Sequence, residues 1–469
     1  MRVIQSILPV ALAAVMLESG AAQASGPVII ATLPQIDHLT SPAAGASMSL
    51  SADGRYVAFV SRAQLVEADT NISADVYVLN TVTGDVTLET LTPDGRVASG
   101  DSHQPWLDGT GRYLVFTSGA TNLIEPALPP KPLWRVFLRD RVERTTRLLS
   151  VDRRGRPANG DSSEPMISVD GRSVAFTSSA TTLVAGVDKN GKRPDVYLLR
   201  LATGAIERVS VTSAGEQLSS GMSFMPSVSA DGRFVAFSST ADLTCQAGDG
   251  CAGGRSDGAG PSTERNDVYV HDTRTGQTRR VTRTVNGDEP NGASFHPSIS
   301  ADGRFVAFAS EASNLVAKDR NRTTDVFVVD LHKGTIELAS RNARGRPGSG
   351  RSNRPVISGD GTLVAFQSDA ADLVCASRCE RHERDINMVS DVFLHDRRRG
   401  TTVRLSADGS DEWMDPSGGP RLAAYGRLLA FTSRHPTAHS DIGADHHAYV
   451  VRLPAMERTT TSARSNRPR

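Results

Sequence analysis

The chain carries no surplus of charge. Its 52 basic residues stand against 52 acidic ones, so no global field draws it to nucleic acid or to an acidic polymer. Long apolar runs are missing beyond the first residues, which leaves no later stretch to cross a membrane as a helix. Aromatic side chains are scarce at 5%, and no segment of the repeating region has a helical period, which argues against a helix-built core. An HExxH pair and a phosphate-binding loop are both absent, so neither a zincin nor a nucleotide-hydrolase reading has a starting point. Cysteine is limited to four residues, too few for a disulfide framework to carry a chain of 469 residues.

What the chain has is repetition, together with 41 glycines and 24 prolines to punctuate it. LSADGRYVAF (50–59), LDGTGRYLVF (107–116), ISVDGRSVAF (167–176) and VSADGRFVAF (228–237) are variants of one phrase. ISADGRFVAF (299–308), ISGDGTLVAF (357–366) and a worn LAAYGRLLAF (422–431) complete seven copies, spaced by roughly sixty residues. In the fifth copy the parts read PSIS, an Asp302-Gly303 turn, RFVAFAS, a long connection, DVFVVDL, a Lys333-Gly334 turn and TIELASR. β-Branched and large apolar residues crowd these phrases as they do in strands covered on both faces, and the glycine pairs suit tight reversals. Each unit is thus four short antiparallel strands. One such sheet cannot bury both faces alone, but seven arranged radially can.

The expected fold is therefore all-β, a seven-bladed propeller of four-stranded antiparallel blades spanning 47–458, with PSIS innermost and TIELAS outermost. The hairpins within each blade then lie on one face of the disc. The long connections, from the second strand to the third and from blade to blade, lie on the other, where binding surfaces usually sit. Residues 25–46 form an N-terminal segment. Its VIIATL (28–33) is the expected outer strand of the last blade, since no glycine turn follows Leu453; closure by 457–461 is the alternative. Residues 1–24 read as a signal peptide: Arg2, the apolar run ILPVALAAVML, then Ala-Gln-Ala before Ser25. The expected location is periplasmic or secreted, without a transmembrane anchor, and the chain is expected to be monomeric. Residues 459–469 read as a disordered basic tail.

The phrase Ser-x-Asp-Gly-Arg-x-Val-Ala-Phe resembles the repeat of the TolB-like branch of the WD-like β-propellers. So does the following Asp-Val-Phe/Tyr-Val-x-Asp, seen as DVYVLN from Asp75, DVYLLR from Asp195, DVYVHD from Asp267, DVFVVD from Asp325 and DVFLHD from Asp391. The resemblance covers about 50–453 and implies the propeller architecture. It leaves function open, because such propellers include exported scaffolds, domains attached to peptidases, and enzymes that degrade polysaccharides.

Candidate chemistry sits in the connections. Before the third strand, an Asp-x-Asn pair and a later Asp recur as Asp69/Asn71/Asp75, Asp188/Asn190/Asp195, Asp319/Asn321/Asp325 and Asp385/Asn387/Asp391. Two carboxylates and an amide oxygen in a compact loop suit structural calcium; the same residues also make Asx-turns. Cys245 with Cys251, and Cys375 with Cys379, suggest two local disulfides pinning two loops, or a four-thiolate metal site. HPTAHSDIGADHH (435–447) is dense enough in His and Asp to suggest a transition ion, or else a solvated loop. Trp106, Trp134 and Trp413 are candidates to stack a glycan or anchor a protein. His103 and His296, just ahead of Pro105 and Pro297, approach the central channel. Two functions follow. The first is an exported non-enzymatic binding or scaffold propeller that recognises a protein or glycan through its loop-rich face. The alternative is a propeller lyase or glycoside hydrolase acting on polysaccharide near the channel.

Overall fold

The computed structural model describes residues 28–36, 48–131, 133–244, 265–317, 319–374, 389–406, 417–433 and 446–453, and every helix or strand among them is a strand. They form seven four-stranded antiparallel sheets. The fifth blade runs Ser294–Ile299, Phe305–Ser310, Asp325–Asp330 and Thr335–Leu338 from the inside out. The fold is the expected seven-bladed propeller. In the seventh sheet, Ser417–Leu422, Leu428–Ser433 and His446–Arg452 are completed by Val28–Ile36, which pairs antiparallel with His446–Arg452. The four cysteines, Trp413, Asp385, Asn387, the loop of 434–445, the leader and the tail all lie outside the described residues.

The repeated phrase makes a turn because its polar atoms satisfy each other. Ser300 Oγ donates to Asp302 Oδ1 at 2.6 Å and accepts the Phe305 N–H at 2.9 Å, while Asp302 Oδ1 also accepts the Arg304 N–H at 2.9 Å. The Arg304 guanidinium then grips Asp330 at 2.6 Å, at the end of the third strand. Arg112–Asp140 and Arg233–Asp272 repeat that clasp at 2.7 Å in blades two and four.

The Val-Ala-Phe phrase decides how blades stack. Alternation along a strand sends Val306 and Phe308 to one face and Ala307 to the other. Val306 and Phe308 bury against Ala236, Val268 and Val270 of the preceding blade; Ala307 faces Val364 and Phe366 of the following one. Large side chains on one sheet thus meet small ones on its neighbour. Each Phe also stacks on the Phe or Tyr of its own third strand, as Phe308 does on Phe327 at 5.9 Å. The core is accordingly seven clusters, each between two blades, and the one built from Met48, Phe59, Tyr77, Ala430 and Val450 joins blade seven to blade one.

At the hairpin end of the channel a circle of backbone hydrogen bonds links all seven blades. The N–H of Ala52 donates to Gly109 O, Gly109 to Val169 O, Asp170 to Ala230 O and Ala230 to Ala301 O. Ala301 donates to Gly359 O, Gly359 to Ala424 O, and Tyr425 closes the circle on Ala52 O at 3.3 Å. Gly109 leaves no room for a side chain here: a Cβ on it would lie 2.5 Å from Val169 O.

Candidate functional site: the central channel

The inner strands carry the sequence Ser-x-x-Pro in six blades, and each carries a register break around its proline. The serine is structural. Its hydroxyl bonds the serine opposite on the second strand, as Ser294 does with Ser310 at 2.8 Å. The residue before the proline adopts a left-handed conformation: φ is +53° at Gln104, +53° at Glu164, +54° at Met225, +55° at His296 and +50° at Arg354. Non-glycine residues are uncommon there, more so ahead of proline, and such strain gathers at binding sites. The break brings these side chains to line the channel, in a cavity of about 150 Å³ toward the loop-rich face.

Around this ring the chemistry divides. Gln104 Oε1 accepts the Glu164 N–H at 2.9 Å and the Thr117 hydroxyl at 3.0 Å. Glu164 Oε2 in turn accepts the Met225 N–H at 2.7 Å and the Thr177 hydroxyl at 2.8 Å. Each side chain thus braces the strained peptide of the next blade. Burial pushes the Glu164 carboxyl above the ordinary carboxylate range, against those bonds. This half of the ring presents acceptors.

The other half presents donors. Arg421 Nε donates to Met48 O at 3.2 Å and Nη1 to Pro420 O at 2.7 Å, and its guanidinium lies 5.7 Å from the Trp106 ring centre. Burial, and then the neighbouring Arg354, push Arg421 down to about 9. Burial and then Arg351 lower Arg354 as well. Among the described residues neither Arg354 nor Arg421 forms an ion pair with a carboxylate. His296 Nδ1 is buried without a hydrogen-bond partner. Burial, followed by Arg354 and Arg421, holds His296 down at about 4, so its imidazole is neutral at pH 7.

The residues singled out in the sequence are therefore distributed unevenly. His296 and Trp106 line the channel. His103 does not: it sits one position before the register break and packs against Trp134, ring centres 5.3 Å apart, while Gln104 takes the channel place. Trp134 is 37% exposed beside the loop-rich face. Glu164, Gln104, Arg354 and Arg421 escape a search for motifs because no two blades repeat them. The signal for Gln104, Glu164 and Arg354 is the converse, a variable residue held in an invariant frame before proline; Arg421 stands just after its proline.

Three of the Asp/Asn groups lie wholly among the described residues, and their members come together. Asp69 Oδ1 accepts the Asn71 N–H at 3.2 Å, and Asn71 Oδ1 accepts the Ser73 N–H at 2.6 Å, which are Asx-turn bonds. Asp75, Asp195, Asp325 and Asp391 each accept a hydroxyl from the outer-strand side, from Thr90, Ser210, Ser340 and Ser406. Among the described residues no three His, Cys, Asp or Glu side chains form a metal-holding group.

No protein-family model matches the chain. No curated protein matches it in sequence either. Solved structures match in fold. The oligogalacturonate lyase of Vibrio parahaemolyticus aligns at 12% identity over 91% of this chain and 93% of its own, with a TM-score of 0.50. The β-propeller domain of the Trilobed protease from Pyrococcus furiosus aligns at 8% identity over 92% and 98%, with a TM-score of 0.51. TolB from Acinetobacter baumannii aligns at 15% identity over 76% of this chain with a TM-score of 0.39, and the chain spans 64% of that protein's length. At these identities the shared property is the propeller fold.

Proposed function

We propose that the protein is an exported binding propeller that takes an acidic glycan at the loop-face mouth of its central channel. The observation that carries this reading is the pair of guanidiniums, Arg354 and Arg421, half-buried in the channel wall without a carboxylate partner among the described residues. Two half-buried cations, one of which lowers the other, are relieved by an anion, and the guanidinium fork matches a carboxylate in two-point contact. Trp106 beneath Arg421 supplies an apolar face for a sugar ring, and Gln104 supplies hydrogen-bonding capacity across the channel for its hydroxyls. Titration calorimetry with uronate oligomers, against neutral oligomers of equal length, tests this. Tight binding of the acidic series alone is expected, weakened about tenfold or more by Arg354→Gln or Arg421→Gln. Equal affinity for the neutral series, or no effect of either substitution, overturns it.

His296 supports a second reading, a lyase. A neutral imidazole beside two guanidiniums is the pairing that proton abstraction next to a uronate carboxylate requires, the cations stabilising the charge that develops on the carboxylate. An oligogalacturonate lyase shares the fold over most of both chains. Release of an unsaturated uronate, followed by its ultraviolet absorbance and abolished by His296→Ala, would replace binding with catalysis at the same place.

A further inference from the structure

The third strand of blades one, three and five opens on a buried aspartate, and the residue that faces it from the outer strand differs. In blade three this is Arg208, whose Nε lies 3.2 Å from Asp195 Oδ2 and whose Nη2 lies 3.7 Å from Asp188 Oδ2. Gln217 completes the arrangement. Its Nε2 donates toward Asp188 Oδ1 at 2.7 Å, Asn190 Oδ1 at 2.7 Å and Asp195 Oδ2 at 2.8 Å. Three oxygens from the loop thus converge on one nitrogen that has only two hydrogens to give. Arg280 and Arg404 stand at the same position against Asp267 and Asp391.

In blades one and five that position is leucine, Leu88 and Leu338, both buried. The acids remain. Asp75 is 0% exposed and its Oδ2 has no partner; Asp319 is 8% exposed and its Oδ1 has none. Asp69 receives the Tyr77 hydroxyl, but the corresponding residue of blade five is Phe327, which has no hydroxyl to offer Asp319. Asn321 Nδ2 bridges Asp325 Oδ2 at 2.7 Å and Gly348 O at 2.9 Å. The arginines of that loop, Arg320 and Arg322, are exposed and pair with neither acid. Two carboxylates buried together without a counterion are strongly disfavoured.

We propose that Asp69/Asn71/Asp75 in blade one and Asp319/Asn321/Asp325 in blade five each bind one calcium ion, whereas in blade three Arg208 and Gln217 fill the equivalent place. Two carboxylates, an amide and nearby backbone carbonyls are a hard oxygen set, and calcium accepts the irregular geometry of a loop, with water completing its shell. The inference is independent of what the channel binds.

The test uses the full chain, stripped with chelator and dialysed against calcium. About two equivalents bind, Asp75→Asn and Asp325→Asn each lose one, and Asp188→Asn in blade three keeps both. In chelator, Asp325→Asn melts at or above the wild-type temperature, because a repulsive buried charge is gone; in calcium the order reverses. Terbium separates the sites, since emission excited through tyrosine depends on Tyr77 in blade one: Tyr77→Phe removes it and Asp325→Asn does not. Absence of bound calcium, retention of two equivalents in Asp75→Asn and Asp325→Asn, or an Asp325→Asn penalty equal with and without calcium, overturns the proposal.

Discussion

Arg304 and Asp330 show how one side chain serves both turn and sheet. The Arg304 guanidinium donates to both Asp330 oxygens, at 3.1 and 2.6 Å, and stands 4.7 Å from the Phe305 ring centre. That pairing, ahead of the backbone N–H bonds of Lys333 and His332, lowers Asp330 from 3.8 to about 2. A carboxyl lowered on folding adds stability that is complete above pH ~4 and fades as pH falls toward 2. Because Arg304 is about one-third exposed, solvent discounts the pair. Arg304→Gln is expected to lower stability at pH 7 and to change it little near pH 2. Urea unfolding of both forms across that range checks it. An equal loss at both ends would show that Arg304 acts only through packing. In the sequence Arg304 and Asp330 are both visible as repeated letters. Their contact is not, because only the hairpin register brings the second strand's start beside the third strand's end.

Elements are where sequence and structure agree most, and where one feature escapes. Apolar density and glycine turns place the second and third strands of the fifth blade within a residue, since alternation and hairpin chemistry are local, whereas its inner strand begins three residues before the PSIS phrase. The inner-strand break is different: the residue before proline turns to the channel, and no local propensity favours φ > 0 at Met225-Pro226. Hence His296 is recognised from its place in the sequence, while Arg354 and Arg421 emerge only once the inner strands lie side by side. The turn glycine carries a second role at this scale. Gly303 has φ +72°, and a Cβ there would meet Phe234 of the previous blade at 2.1 Å. Gly303→Ala combines backbone strain with overpacking, so a loss of about 2–4 kcal/mol is expected. Gly345→Ala, with φ +69° and no atom within 4 Å, isolates the strain alone and should cost about 1 kcal/mol. Equal losses in chemical denaturation would remove the inter-blade contact from the account.

The whole molecule is a ring closed by non-covalent means. Blade seven takes its outer strand from Val28–Ile36 rather than from the residues that follow it, and the backbone circle ends on Tyr425 and Ala52. Six paired positions join Val28–Ile36 to His446–Arg452, so deleting 28–36 is expected to cost about 3–6 kcal/mol. It would also bare the edge of His446–Arg452 and promote self-association. An unchanged urea midpoint with a strictly monomeric species would mean that the seam holds without this strand. The architecture is legible in the sequence because seven copies of one phrase admit few arrangements. The function is less so, because channel residues contributed by separate blades leave no contiguous motif. The central claim, that the channel rather than the outer loops takes the ligand, is tested most directly by a crystal structure with a short uronate oligomer. The predicted result is a carboxylate held by Arg354 and Arg421 with its sugar ring against Trp106. An oligomer seated on the outer loops, with the channel free of it, would contradict the account.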